Sequence, residues 1–369
     1  NKPTRRPPWI AVLVVIVLLC GIAYLLATQL AGWRSDQLRE VISIPARSGQ
    51  AIEPLRDGVI YYDGANLHAM DARGRQIWSY AMGGSASFRV SDGGVATWSG
   101  TMLSLLSADD GSSSFSGHLE STVVSARYGS NYIAVQIADE SKGSPDEHNS
   151  TMLLLDSGGR QVDRIALTNQ TVLDFGFFHG GTLFWVMSLD TEGTTPVCSV
   201  STYRPGKMRA GTVTDTSQVL YEVLFQSSNI RVVGLTYIKD FLYTNSEVTE
   251  NRMLVYGWYM LDVDENQQNP FMVFVPTSQA DGTSGISDIR TIQGQVDTTI
   301  RLPAAAKQVF ASGNTVYAFA NDRVMVCASG SSEPATYALP IYIDQVLSLT
   351  DNHTAIVSSG GDVYLIPLP

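Results

Sequence analysis

Short apolar runs alternate with polar turns along most of this chain, and the stretch Tyr61–Tyr80 shows the unit most clearly. Ile60 and Tyr62, then Leu67, Ala69 and Met70, then Ile77, Trp78 and Tyr80 mark three strand-like runs. Turns at Asp63-Gly64 and Ala72-Arg73-Gly74 separate them, which predicts an antiparallel meander. After Ala31 no long stretch places apolar residues at helical spacing, so the fold class is all-β.

The second of these turns recurs. Asp71, Gly74, Arg75, Gln76 and Ile77 have the same spacing as Asp156, Gly159, Arg160, Gln161 and Val162. Related turns centre on Gly111 and Gly206, so that Gly74, Gly111, Gly159 and Gly206 are separated by 37, 48 and 47 residues. Such intervals are near the period of four-stranded propeller blades, about 40 to 50 residues. Leu261–Asn266 and Ala328–Gly330 read as later turns of the same kind. Polar turns followed by apolar runs also open at Asp57, Asp92, Gly129, Gly180 and Gly313. The pattern predicts a β-propeller of about seven four-stranded blades, with six or eight also compatible. Val346–Pro369 supplies only three strands, and a closed ring leaves no open edge. Val41–Ile44 is therefore expected to complete the last blade.

Ahead of the repeats, Trp9–Ala31 carries no charge. A bilayer core needs about 20 such residues as a helix, so 9–31 is expected to span a membrane once. Lys2, Arg5 and Arg6 precede it and orient the N-terminus to the cytoplasm. The expected layout is a basic tail (1–8), a transmembrane helix (9–31), a linker (32–40) and an extracytoplasmic propeller (41–369). The apolar run exceeds that of a cleaved signal peptide, although cleavage after Ala27 or Ala31 stays open. Leu19 before Cys20 disfavours a lipidation site.

Charge narrows the partners. Without Lys2, Arg5 and Arg6, 21 cations face 35 acids, a surplus that repels phosphate backbones and excludes nucleic acid as an expected partner. Cys198 and Cys327 are distant in sequence and read as two small buried hydrophobes rather than a bridge. Asp139–Ser150, Asp262–Asn269 and Ser278–Asp288 read as insertions, the first and third as solvated loops.

Around Leu67–Trp78 the chain resembles the repeat of PQQ-like and WD-repeat-like propellers: Ala69, Asp71, Gly74 and Trp78 match, the threonine is missing, and the turn is one residue shorter. The layout is also similar to a bacterial family of membrane-anchored extracytoplasmic propellers. That likeness implies a cell-envelope address and no particular activity. In physical terms Asp71 accepts backbone hydrogen bonds within its turn, Gly74 takes a positive φ, and Trp78 and its counterpart Phe115 fill the space between neighbouring sheets.

Catalytic signatures are sparse. The cysteine pair of quinoprotein dehydrogenases cannot form, and Ser107–Phe115 approaches the Asp-box of sialidase propellers with one residue too many before the aromatic. Asp262, Asp264 and Asn266 match three alternate ligand positions of a calcium loop, but Gln267 and Val273 replace its glycine and its last glutamate. The five histidines show no metal spacing, and no cofactor is expected. The sequence therefore points to a non-enzymatic protein-interaction platform at the cell envelope, whose partner is another envelope or membrane protein. The alternative is a carbohydrate or small-ligand site, hydrolytic or not, in the central channel. Trp98, Trp185, Trp258 and Tyr259 are the candidate lining residues, although propeller aromatics more often belong to the core.

Overall fold

The computed structural model describes residues 37–138, 150–178, 181–226, 229–242, 247–265 and 269–369. They form eight four-stranded antiparallel sheets. The blades run 51–81, 87–118, 123–167, 170–215, 220–254, 258–306, 308–338 and finally 345–367 joined by Ile42–Arg47. Within each blade the strands are called A to D from the centre outward. The A strands line the axis, and those of blades 6, 7, 8, 1, 2 and 3 touch in succession.

The expected seven blades are thus corrected to eight. The first four turn glycines were read in the right role, since Gly74, Gly111, Gly159 and Gly206 each lie between strands C and D. Leu261–Asn266 was not: Leu261–Asp264 belongs to the A strand Trp258–Asp264 of blade 6. The C–D turn of that blade is at Gly294, between Ile286–Gln293 and Val296–Ala306. Acidic residues there serve an inner strand rather than a hairpin tip, which concealed one blade.

Ring closure follows the expectation. Ile42–Arg47 pairs antiparallel with Asp362–Pro367 as strand D of blade 8, somewhat longer than Val41–Ile44. Pro45 is accommodated on this outer edge, where its missing N–H breaks no ladder, and the register shifts between Ile44 and Arg47. Upstream, Gln37 bridges to Ala338 and the Leu38 N–H donates to the Ala338 carbonyl, so the end of the expected linker already docks on blade 7. The expected tail and transmembrane helix lie outside the described residues, as do Asp139–Asn149 and Cys20. Among the described residues no helix is long and apolar enough to cross a membrane.

The core is a ring of seams. Leu67, Ala69 and Trp78 of blade 1 pack on Phe88, Val95 and Leu106 of blade 2. At the same seam the Trp78 indole donates to the Ala108 carbonyl at 3.1 Å, in the C–D turn of blade 2. Gly111 of that turn has φ +67°, and a Cβ there would meet the Trp78 ring at 2.7 Å. Phe115 stands in the same relation to Gly159 of blade 3, where the corresponding distance is 2.1 Å. The turn glycine therefore makes room for the aromatic on the D strand of the preceding blade. Asp71 accepts from the Arg73 and Arg75 N–H groups and pairs with the Arg75 guanidinium; Asp156 repeats this with Gly158 and Arg160. Burial alone would raise the Asp71 carboxyl, but these donors hold it below its ordinary value. Cys198 and Cys327 are free and buried in blades 4 and 7, as expected. The Ser278–Asp288 insertion is tied down by Gln279, which bonds both the backbone and the hydroxyl of Ser287.

Candidate functional site

Because side chains alternate along each A strand, polar groups on one face reach sideways to the next blade. Glu53 accepts from the Val90 N–H at 2.7 Å, Asp262 from Ala311 at 2.8 Å, and Asp264 from Gly313. Gln308 bonds both the N–H and the carbonyl of Val346, and the Tyr221 hydroxyl accepts from Met260. These stitches hold the inner strands as a rigid collar.

Where each A strand turns into strand B, the collar widens into a funnel. Arg56, Asp92, Tyr128, Phe178, Gln226, Glu265, Gly313 and Asp351, one from every blade, stand around it. Three compartments of about 860, 670 and 590 Å³ overlap in their walls. The largest lies over blades 1 and 2 and is lined by Glu53, Arg89, Asp109 and serines including Ser112, Ser113 and Ser114. The second runs from Arg89 and Arg127 to an aromatic wall of Phe177, Phe178, Trp185 and Phe225. The third adjoins Asp262, Asp264 and His353.

The funnel is dominated by carboxyl groups. Arg127 pairs with Asp174 at 2.6 Å and lies over the Phe175 ring at 5.6 Å. Around that pair, burial pushes the Glu222 carboxyl up, with the negative charges of Asp174 and Asp262 adding to the effect. Asp262 is pushed up to about 6, again chiefly by burial and partly by Asp264. Glu265 is reachable by solvent but surrounded by the funnel wall; burial first, and then Glu222, push it up to about 7. Such a carboxyl both donates and accepts hydrogen bonds near neutrality.

Of the four aromatic candidates, only Trp185 reaches the funnel. Tyr259 stacks on Tyr221 at 4.9 Å near the starts of their A strands, at the other end of the channel, and Tyr221 is pushed up to about 12 by burial. Trp258 packs into the seam between blades 5 and 6, and Trp98 belongs to the seam of blades 2 and 3. Asp262 and Asp264 both turn to the backbone of blade 7, and Asn266 lies outside the described residues. Among the described residues no group of three acidic, histidine or cysteine side chains is placed to hold a metal ion. His68 stays within blade 1, bonded to Asp63 and stacked on Tyr61. The Asp-box-like stretch is a C–D turn in which Asp110 accepts from Ser112, and its serines line the funnel.

The aromatics that line the funnel beside Trp185 were not candidates in the sequence. Their signal was positional: Tyr128 and Phe225 are the last residues of A strands, and Phe177 and Phe178 end another.

No protein-family model and no curated protein sequence matches the chain. Solved structures do. The C-terminal WD40 domain of Sif2 aligns with a TM-score of 0.61 at 11% identity, over 90% of this chain and 99% of that one. BamB from Moraxella catarrhalis aligns with 0.53 at 12%, over 90% and 100%. Sqt1 from Saccharomyces cerevisiae aligns with 0.55 at 9%, over 91% and 100%. The chain has the fold of these β-propellers, here with eight blades. At these identities the likeness is one of fold, and the propeller's function has to be argued from its own surfaces.

Proposed function

We propose that this propeller is a non-enzymatic protein-interaction platform, held outside the cytoplasm at the cell envelope by the expected span 9–31, whose partner is another envelope or membrane protein. One observation carries the interaction role. On the face opposite the funnel, blade 5 exposes Val219, Leu235, Leu254 and Tyr256, with 43%, 48%, 55% and 76% of their surfaces open. They are neighbours. Gln218 bonds the N–H groups of Thr236 and Tyr237, Tyr237 pairs with Leu254, and the Val255 N–H donates to the Thr236 carbonyl. An apolar patch on a rigid scaffold, with Gln218 and Thr236 among its residues, has the chemistry of a docking surface. The address rests on the apolar run 9–31 and the cations before it.

The test is a crosslinking pull-down from intact cells, using the full chain and a Leu254→Asp/Tyr256→Asp variant. The wild type should recover a discrete envelope protein that the variant loses. Equal recovery by both, or none by either, sinks the proposal.

A second reading is favoured by the funnel: a carbohydrate or small ligand bound at the channel mouth, where aromatic rings and carboxyl groups converge.

A further inference from the structure

The funnel's two largest compartments share one edge, and its composition names a ligand more narrowly than the channel reading on which this inference rests. Arg89, Asp92 and Tyr128 line both. The Tyr128 ring is fixed in place by the A–B turn of blade 2. A Cβ on Gly93 or Gly94 would fall 2.9 or 3.3 Å from that ring, and the Gly93 N–H donates to the Tyr128 carbonyl. On the far side of the smaller compartment Phe178 stacks on Phe225 at 3.9 Å, with Trp185 at 5.5 Å from Phe225. Rings therefore stand both at the shared edge and at the end wall.

The polar groups between them are planar or hydroxylic. Arg127 is committed to Asp174, whereas the Arg89 guanidinium forms none of the ion pairs among the described residues. Its charge acts on the Glu53 carboxyl, and it shares the common edge with Asp92, with serine hydroxyls beyond in the larger compartment. The carboxyl groups outnumber the guanidinium groups, so a phosphate or a carboxylate entering here meets repulsion. A purely apolar ligand would strand the guanidinium and carboxyl groups without partners. A polyhydroxylated chain avoids both costs: its C–H faces pack on the rings, and its neighbouring hydroxyls exchange hydrogen bonds with guanidinium, carboxyl and serine groups.

We infer that the A–B face binds an uncharged oligosaccharide laid across the Arg89–Tyr128 edge, with sugar units in both compartments. The rings supply apolar contact, Arg89 and Asp92 read hydroxyl pairs, and the carboxyl-rich wall excludes anionic sugars.

The experiment uses the full chain in lipid nanodiscs, which carry no sugar headgroups, against uncharged, amino and uronic oligosaccharides of graded length. Uncharged chains longer than a disaccharide should bind. Losing a charged hydrogen-bonding group should weaken them about tenfold in Arg89→Ala. Tyr128→Ala and the milder Arg89→Gln should weaken them in the same direction, and Tyr342→Ser, exposed ahead of the blade 8 A strand on the opposite face, should change nothing. Thermal melting of each variant separates lost binding from lost folding. Binding that is indifferent to chain length and to Arg89 overturns the two-compartment inference and leaves the channel reading standing. Selective binding of uronic or amino sugars overturns the uncharged class. No binding by any of them removes both readings, and the platform proposal is then tested by its own pull-down.

Discussion

The seams of blades 1 to 3 and the seam between blades 4 and 5 solve the same packing problem with different chemistry. In the first group an aromatic on strand D of one blade lies against a turn glycine of the next: Trp78 against Gly111, Phe115 against Gly159. At the blade 4–5 seam an apolar cluster including Met187, Val200, Ile230 and Phe241 is joined by a buried ion pair where strand D of blade 4 ends. Asp215, ending strand D of blade 4, meets Lys239 on strand C of blade 5 at 2.8 Å, with their side chains only 2% and 6% exposed. Ser217 and Gln218 complete the hydrogen bonding of that carboxylate, and Lys239 also donates to Ser217. Burial by itself would raise the Asp215 carboxyl, yet these partners hold it below its ordinary value. Next to it Arg231 clasps Asp240 through two hydrogen bonds between paired strands. The lesson is that apolar contact fills both seams, while the joint at the end of strand D is open to either an aromatic on a glycine or a satisfied polar network. Only the apolar version writes a motif that repeats.

The difference can be broken from its ionic side first. Lys239→Met leaves Asp215 buried without its cation, and removing one partner of such a pair costs about 3–5 kcal/mol. Urea denaturation should show that loss, and Asp215→Asn added to Lys239→Met should recover a large part of it. A single substitution without measurable cost would mean that the network is ornamental. On the apolar side, Gly159→Ala forces a Cβ against the Phe115 ring in a left-handed backbone conformation. The expected loss is about 2–4 kcal/mol from strain and overpacking. If a Phe115→Leu background relieves most of it, the glycine and the aromatic act as one unit; if the two costs simply add, they do not.

The smallest expected effect concerns the collar. Asp262 holds its proton more tightly in the folded state, up to about 6 against an ordinary 3.8. Unfolding between those values therefore releases protons, and this group's contribution to stability falls as pH rises from about 4 to about 6. Glu265, raised further, extends the decline to about 7. Asp71 and Asp215 act with the opposite sign, their contribution being lost as pH falls below about 4. Asp262→Asn should match the wild type near pH 4 and exceed it above pH 6 by about 1–2 kcal/mol, read as a shift in the urea midpoint. An unchanged pH profile would show that Asp262 is ionised at little cost and that the collar is wetter than its geometry indicates.

What could be read from the chain followed the same division. The Asp71 and Asp156 turns, the seam roles of Trp78 and Phe115, and an N-terminal strand closing the last blade were legible, because each depends on neighbours in sequence or on the rule that a ring leaves no edge. The blade count failed where the C–D turns departed from the Asp-Gly pattern. Blade 5 has no described Asp-Gly turn between strands C and D, and the acidic run Asp262–Asp264 resembled a turn while serving as an inner strand. Of the funnel wall, Trp185 was anticipated as an aromatic; Tyr128, Phe178 and Phe225 were not, since their meaning is their place at the ends of A strands.

By itself, then, the sequence determined the all-β class, the propeller repeat and the chemistry of its turns, which arise from local alternation and from backbone conformations that single residues dictate. Tertiary structure decided the number of blades, the partners of Asp215 and Asp262, and the meeting of Arg89, Tyr128 and Glu265 in one funnel. Those relations join residues from different blades, and only ring closure brings their side chains within reach of one another.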